Sequence, residues 1–490
     1  MIKKISKPKV LFVVPQLRSM FGEKGGVPGH PHVGIASLTA FLKLNQYPVK
    51  IFDEGIENDP QKLIALIKRY QPDIVGVTSF SYCYGSVVET IKRVANATKS
   101  PIIIGGPHVS AVKKEVLEEN PEITFAVKME GEYTLLELLQ TLTSKQKKYS
   151  SIQGLIWRKG KIVVENSDRQ LIKDVDSLPL PDYEAFDLRR YPCFHVKTMP
   201  ILTSRGCPYG CNYCSVRLSM GRGFRARSPK NIISEIKHWN KLGFFSFDIN
   251  DDCFTFDLKR AEETCDLIMK NKLKIKFQLY NGIRVDRVTP SLLKKLKKAG
   301  CTFIAYGCET GNQEVLNRIK KNITLEQVIN AVNWTNKLKI KNAVNFIIGH
   351  EDETYENALD TLKFASNLPS NFVNFYNLVP YPGTQVFEWA KNKAKFLVPQ
   401  DTFLKTVSYR DNSPIFETQD FTKEERQLIT RKGFELYERK VLVFRLGPTL
   451  GKIFFAITRP KIIHKLMFEF ALSNKIGNYI YQKISSNSRL

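Results

Sequence analysis

Between residues 9 and 142, short β-branched runs alternate with segments of helical period. Lys9–Pro15 (KVLFVVP), Val49–Asp53, Asp73–Ser79, Pro101–Gly106 and Phe125–Glu130 read as strands. Val33–Leu44, Pro60–Tyr70, Gly85–Thr98, 110–119 and Tyr133–Leu142 read as helices. The helix over 33–44, for example, places apolar residues at 35, 38, 41 and 42. Strict β-α alternation predicts a doubly wound parallel sheet, and near-continuous apolar strands such as IIIGG suit a sheet covered on both faces. Ligands of such sheets bind outside the carboxyl ends of the strands.

The pattern changes after residue 145. SIQGLIWRKGKIVVENSD predicts a hairpin turning on Lys159–Gly160, and SLPLPDYEAFDLRRYP is a Pro-rich connector. A second β-α series follows. Its strands are expected near 199–204, 244–250, 275–280, 302–308, 342–348 and 372–379. Its helices are expected near 229–242, 257–270, 290–299, 311–338 (broken), 353–366 and 384–392. Ser228-Pro229 opens the first of these helices with a cap residue and a proline at the first helical position. Six β-α units are too few to close an eight-stranded barrel, so a partial (βα)6 barrel is predicted. The expected division is 1–145, a Rossmann-like ligand-binding domain; 146–195, a linker with a hairpin; 196–395, the partial barrel; and 396–490, a basic helical region.

Composition adds a charge. The chain carries 74 Lys+Arg against 48 Asp+Glu, a net +26. Such an excess suits an anionic partner or a lysine-rich background. From Lys440 to Leu490 there are nine Lys/Arg against one acid, Glu469, with KIFFAI and KIIHKLMF between them. Helices of that kind can lie on an anionic membrane surface, or cap the barrel with a solvated basic face. No stretch reaches the ~18–20 apolar residues of a membrane span. The basic start MIKKISKPKVLFVVPQ reads as a first strand rather than a signal peptide. The expected location is cytoplasmic, with contact to the inner membrane face through the C-terminal region. Nucleic acid is not expected, because no recognition module is visible.

The odd count of nine cysteines argues for reduced thiols. Three fall in ILTSRGCPYGCNYCSV: Cys207-x3-Cys211-x2-Cys214, on one loop after a strand. A structural zinc site needs a fourth ligand, and no paired CxxC supplies it. An iron–sulfur cluster takes cysteine thiolates, and three ligands for four irons leave one iron open to substrate.

CPYGCNYC resembles the CxxxCxxC signature of radical SAM enzymes. NDDCFTFD, NGIRVDRVT, FIAYGCETG and YPGT (381–384) follow in that superfamily's order, so the resemblance covers residues 200 to about 390. It implies a [4Fe–4S] cluster on Cys207, Cys211 and Cys214 that chelates S-adenosylmethionine (SAM) at the open iron. An electron passed to the sulfonium then releases a 5′-deoxyadenosyl radical. By position, Tyr213 is expected near the adenine, Asp251 and Asp252 near the methionyl end of SAM, and Glu309 near the SAM pocket. Each of these acids also suits a loop cap. NFIIGHEDET departs from the family's GLPGET, with His350 and Asp352 in place of apolar and glycine residues. His350 reads as a proton-transfer group or as a solvated loop histidine.

The first βα loop has no GxGxxG, which excludes the usual dinucleotide site. VGVTSFS, IIIGGPHVS and VKMEGEYTLLELL resemble the cobalamin-binding domain found at the N-terminus of some radical SAM enzymes. That implies cobalamin contacts at Ser79, Gly105, Gly106, His108, Glu130, Gly131 and Glu132. The DxHxxG motif is absent, and His30, His32 and His108 fall outside it. The resemblance therefore implies cobalamin held without a protein histidine below cobalt. Taken whole, the chain resembles cobalamin-dependent radical SAM enzymes such as the anaerobic magnesium-protoporphyrin ester cyclases and hopanoid-modifying proteins. The implied activity is C-methylation of an unactivated carbon in a hydrophobic or other natural-product substrate, fed by a flavodoxin- or ferredoxin-type electron donor. Cyclisation without methyl transfer is the second reading. A cobalamin-binding sensor or carrier with an inactive cluster site is the third.

Overall fold

The computed structural model describes residues 7–16, 27–399, 403–406 and 413–458. The first sheet runs β1 Val10–Val14, β2 Val49–Asp53, β3 Ile74–Thr78, β4 Ile102–Gly105, β5 Phe125–Val127, β6 Leu155–Lys159 and β7 Ile162–Glu165, in the order β2-β1-β3-β4-β5-β6-β7. The first five strands are parallel; β6 and β7 join antiparallel. Every residue of β1 and β3 is buried, as helices on both faces require. The helices begin where local chemistry starts them. The His32 side chain caps Val33–Leu44, and Asp59 with Pro60 starts Pro60–Tyr70.

Three details depart from the periodicity. The hairpin expected within the connector is the antiparallel edge of the first sheet, and its turn falls on Gly160–Lys161. The helix expected at 110–119 is two, Pro107–Val112 and Glu115–Glu119, because Lys113 takes a positive φ of 55°. The last parallel strand stops at Val127, just before Met129 turns at φ 58°. Part of the long first βα loop and the chain from 459 onward lie outside the described residues.

The second sheet comprises β8 Thr198–Ile201, β11 Ser246–Ile249, β12 Lys276–Ile283, β13 Cys301–Glu309, β14 Lys341–Ile348 and β15 Phe372–Asn377. All neighbours are parallel in the order β15-β14-β13-β12-β11-β8, and the end strands do not pair with each other. This is the expected partial barrel. Alternate residues divide its faces: Ile304, Tyr306, Val344 and Phe346 join the main core, while Phe303, Ala305, Ala343 and Phe372 form a second cluster on the inner side. The helix Lys423–Leu446 covers that cluster with Tyr437 and Val441. Gly433 lets the helix close onto β15, because a Cβ there would lie 2.4 Å from the Phe375 ring. Two short strands, β9 Ser204–Arg205 and β10 Arg225–Ala226, pair antiparallel and bracket the cysteine loop. Among the described residues, no helix is long and apolar enough to cross a membrane.

Candidate cofactor site

The cysteine loop leaves β9 through Gly206, whose φ is 82° and whose Cβ would meet the Gly223 carbonyl oxygen at 2.4 Å. Only glycine fits that turn. All nine cysteines are free thiols; Cys211 is buried, and Cys207 and Cys214 are half-buried. Burial pushes the Cys214 thiol up to about 12, and the neighbouring Cys211 and Cys207 act in the same direction. Burial also raises Cys207, with Asp252 and Cys211 adding to it. The three sulfurs thus share one electrostatic environment.

The barrel grips the loop from several sides. Asn212 donates its backbone N–H to the Ile319 carbonyl at 3.2 Å and its side-chain amide to Glu351 at 2.7 Å. Its own carbonyl accepts from Val386 at 3.2 Å. The Arg284 guanidinium lies 3.6 Å over the Tyr209 ring, and Arg287 donates to the Tyr209 hydroxyl at 2.7 Å. Tyr213 packs against His350 at 5.5 Å between ring centroids, with the Glu309 carboxylate nearby. His350 is fully buried, not solvated, and burial lowers it to about 4, so its ring is neutral.

The four residues expected around SAM fall in different settings. Asp252 is half-buried, lies close to Cys207 and Cys214 and lines the large cavity; burial, with Asp251 beside it, raises it to about 6. Asp251 is 1% exposed. Its carboxylate accepts from the Thr203 N–H, the Thr203 hydroxyl and the Ser204 hydroxyl, each at 2.5 Å, with Arg260 at 3.6 Å. It ties the end of β11 to the segment after β8. Glu309 pairs with Lys321 at 2.6 Å. Of the four, the structure brings Asp252 to the cavity, and places Tyr213 and Glu309 together behind the cysteines.

That cavity has a volume of about 800 Å³ and lies between the carboxyl ends of the two sheets. This is toward the upper end of the ~300–1,000 Å³ usual for a small-molecule site. Gly105, Gly106, Glu130, Gly131 and Glu132 line one wall; Asp252, Asn250 and Ser215 line the other. A Cβ at Gly105 would meet no protein atom closer than 3.9 Å, so a side chain there would fill the cavity instead. Gly106 takes φ 111°, and its Cβ would strike the Ser79 carbonyl oxygen at 2.5 Å. Ser79 and His108 stand behind the wall. Ser79 donates its hydroxyl to the Gly105 carbonyl at 2.9 Å. His108 packs against Tyr84 at 3.8 Å between ring centroids and meets the Ser81 hydroxyl at 3.1 Å; burial lowers it to about 3.

Glu130 and Glu132 carry a network that local sequence did not reveal. Arg205 reaches Glu130 at 2.8 Å and Glu132 at 2.7 Å, and Arg225 reaches Glu130 at 2.7 Å. The two arginines flank the cysteine loop in sequence, and MEGE holds the two acids, which was the available signal. His30 and His32 also line the cavity. His32 accepts from the Ile35 N–H at 3.2 Å and meets the Thr78 hydroxyl at 3.3 Å, so both its nitrogens are engaged. His30 holds the Pro31 carbonyl through Nδ1 at 2.9 Å.

Three free thiols on a rigid loop fit an iron–sulfur cluster. Among the described residues, no three His, Cys, Asp or Glu side chains gather closely enough to hold a single metal ion. The glycine-floored cavity facing the loop fits a second, bulky cofactor. Fold and site together define an enzyme with two cofactor halves opening on one space.

Comparison with known proteins agrees. Residues 201–365 match the radical SAM superfamily, and residues 26–139 match the B12 binding domain. An uncharacterized methyltransferase from Pyrococcus horikoshii is 31% identical over 89% of this chain and 94% of its own length. The anaerobic magnesium-protoporphyrin IX monomethyl ester cyclase of Cereibacter sphaeroides is 25% identical, over 96% and 81%. The fold matches the radical SAM methyltransferase TsrM from Kitasatospora setae, solved with cobalamin and a [4Fe–4S] cluster, with a TM-score of 0.70 at 16% identity over 95% and 100% of the two chains. The chain belongs to the cobalamin-dependent radical SAM methyltransferase family, whose cofactors are a [4Fe–4S] cluster, SAM and cobalamin.

Proposed function

We propose that this enzyme methylates an unactivated carbon of a hydrophobic, lipid- or isoprenoid-like substrate. The observation that carries the reading is the single cavity walled by Gly105 and Gly106 on one side and Asp252 on the other. Bound there, the cluster and SAM would supply the hydrogen-abstracting chemistry and cobalamin the methyl group.

The chain's own residues would hold, orient and shield. Cys207, Cys211 and Cys214 would ligate the cluster. Asp252 would face SAM, with Tyr213, Asp251 and Glu309 setting the shape of that pocket. Gly105, Gly106 and Gly131 would let backbone approach the corrin, with Ser79, His108, Glu130 and Glu132 bracing that wall. No protein histidine would sit below cobalt, which agrees with both His32 nitrogens being engaged within the protein. Electrons would come from a flavodoxin- or ferredoxin-type donor. Anaerobic reconstitution tests the reading: SAM should yield 5′-deoxyadenosine, and cell extracts made with the enzyme should contain a product heavier by one CH₂. The alanine triple variant of the cysteines should do neither. Cyclisation is the second reading, favoured by the 25% identity to the cyclase over 96% of this chain. A product that has lost hydrogens and gained no carbon would establish it instead.

Peripheral contact with the inner face of an anionic membrane belongs to the same proposal. In the helix Pro448–Thr458, Leu450, Ile453 and Ile457 are each more than half exposed. Their spacing of three and four puts them on one stripe. Lys452 lies within the helix, and Arg445, Arg459, Lys461 and Lys465 flank it in sequence. Apolar residues set among cations match a surface of anionic phospholipid. Flotation with phosphatidylglycerol vesicles should carry the full chain. Equal recovery of Leu450→Ser/Ile453→Ser/Ile457→Ser, or of the parent with neutral vesicles, would remove the idea.

A further inference from the structure

Behind the cysteine loop, the backbone adopts an uncommon conformation at three positions between residues 309 and 322. Glu309 sits at φ 76°, Lys320 at 57° and Asn322 at 52°. Non-glycine residues rarely hold such angles, and they persist where the surroundings impose them. Here they aim two side chains at each other. The register between β13 and β14 slips between Gly307 and Glu309, which turns the Glu309 carboxylate back over its own strand. Gly307 leaves the space: a Cβ there would lie 2.5 Å from Glu309 Oε1 and 3.1 Å from Lys321 Nζ. Lys321 meets Glu309 at 2.6 Å, and each residue is 7% exposed. The Lys321 carbonyl accepts from Arg284 at 2.7 Å.

The segment that carries Lys321 is tied to the cysteine loop through the hydrogen bond from Asn212 to Ile319 at 3.2 Å. The Lys321 ammonium and the Arg284 guanidinium both lie within electrostatic range of Cys211. A buried charge acts on its neighbours far more strongly than one in water.

We propose that the Lys321–Glu309 pair sets the reduction potential of the iron–sulfur cluster, with Lys321 a fixed cation beside Cys211 and Glu309 its counter-charge. This rests on the cluster being held by the three cysteines. One electron from a flavodoxin- or ferredoxin-type donor oxidises that donor and adds one negative charge to the cluster. A nearby cation favours that gain and a nearby anion opposes it, and net charge is one of the terms that set such potentials. Lys321 and Glu309 are therefore positioning residues with opposite signs of effect.

The test is an anaerobic redox titration of the reconstituted protein, followed by electron paramagnetic resonance of the reduced cluster. Lys321→Met should shift the midpoint to more negative potential, Glu309→Gln should shift it to more positive potential, and Lys321→Arg should stay near the parent. Shifts of the same sign in Lys321→Met and Glu309→Gln, or no shift in either, would overturn the proposal. If Lys321→Met takes up no iron, Glu309→Gln decides alone: a positive shift supports the proposal, and any other result overturns it. A parent protein that binds no iron would overturn the cluster reading and this proposal with it.

Discussion

Arg205→Met removes the cation that joins the cysteine-loop strand to the first sheet, and the structure fixes what it leaves behind. The side chains of Arg205, Glu130 and Glu132 are 10%, 5% and 5% exposed. Glu130 keeps Arg225 at 2.7 Å and the Ile172 N–H at 2.8 Å. Glu132 loses its ion pair and becomes a buried carboxylate. Breaking a buried pair from one side costs ~3–5 kcal/mol, against ~0–1 kcal/mol for a surface pair. Glu132 is also the first residue of the helix Glu132–Thr143, where the helix dipole favours a negative charge by ~0.3–1 kcal/mol, so the loss should fall near ~3 kcal/mol. The assay is urea unfolding of the cofactor-free protein, read by far-ultraviolet circular dichroism and by tryptophan fluorescence. The double variant Arg205→Met/Glu132→Gln should recover ~1–3 kcal/mol, since the two residues are in contact. A loss below ~1 kcal/mol in the single variant, or no recovery in the double, would refute the reasoning.

Four further outcomes follow from the same geometry. Gly106→Ala should destabilise the fold by ~1–3 kcal/mol, because both its φ and its contact with Ser79 resist a Cβ; Gly105→Leu should keep parental unfolding yet lose cobalamin in an absorbance titration. Asp248 is raised to about 6 by burial, so the folded state binds its proton more tightly than the unfolded chain does. Its contribution to stability should therefore fall as pH rises from ~4 to ~6, and Asp248→Asn should flatten that part of the stability–pH profile; an unchanged slope would count against it. The cob(II)alamin form should show no histidine nitrogen splitting in electron paramagnetic resonance; splitting that disappears in His30→Ala would assign a cobalt ligand and overturn the histidine-free reading.

Periodicity located the parallel strands because their signal is local: β1, β3 and β13 are apolar runs whose burial follows from composition. The cysteine triad was equally legible, since its three side chains fall within eight residues. What stayed hidden depends on distance along the chain. Glu130 and Arg205 are 75 residues apart, and no pattern around either names the other. Asp251 and Asp252 are adjacent and chemically identical, yet Thr203 and Ser204 claim the first and leave the second at the cavity. The hairpin at 155–165 was visible as a hairpin, but its pairing with β5 was not, because register between distant strands is set by packing. The turn at Lys113 has no glycine to announce it.

The arginines that bracket the cysteine loop have a consequence for the two chemistries this enzyme must coordinate. In the proposed methylation, radical and methyl donor would have to meet one carbon within a short reach, and a flexible tether would let that separation drift. Arg205 grips Glu130 and Glu132, and Arg225 grips Glu130, from the very strands that hold the loop, so they would act as a gauge block. Substrate variety would then be accommodated by reshaping the lumen, while the two walls of the cavity would keep their spacing.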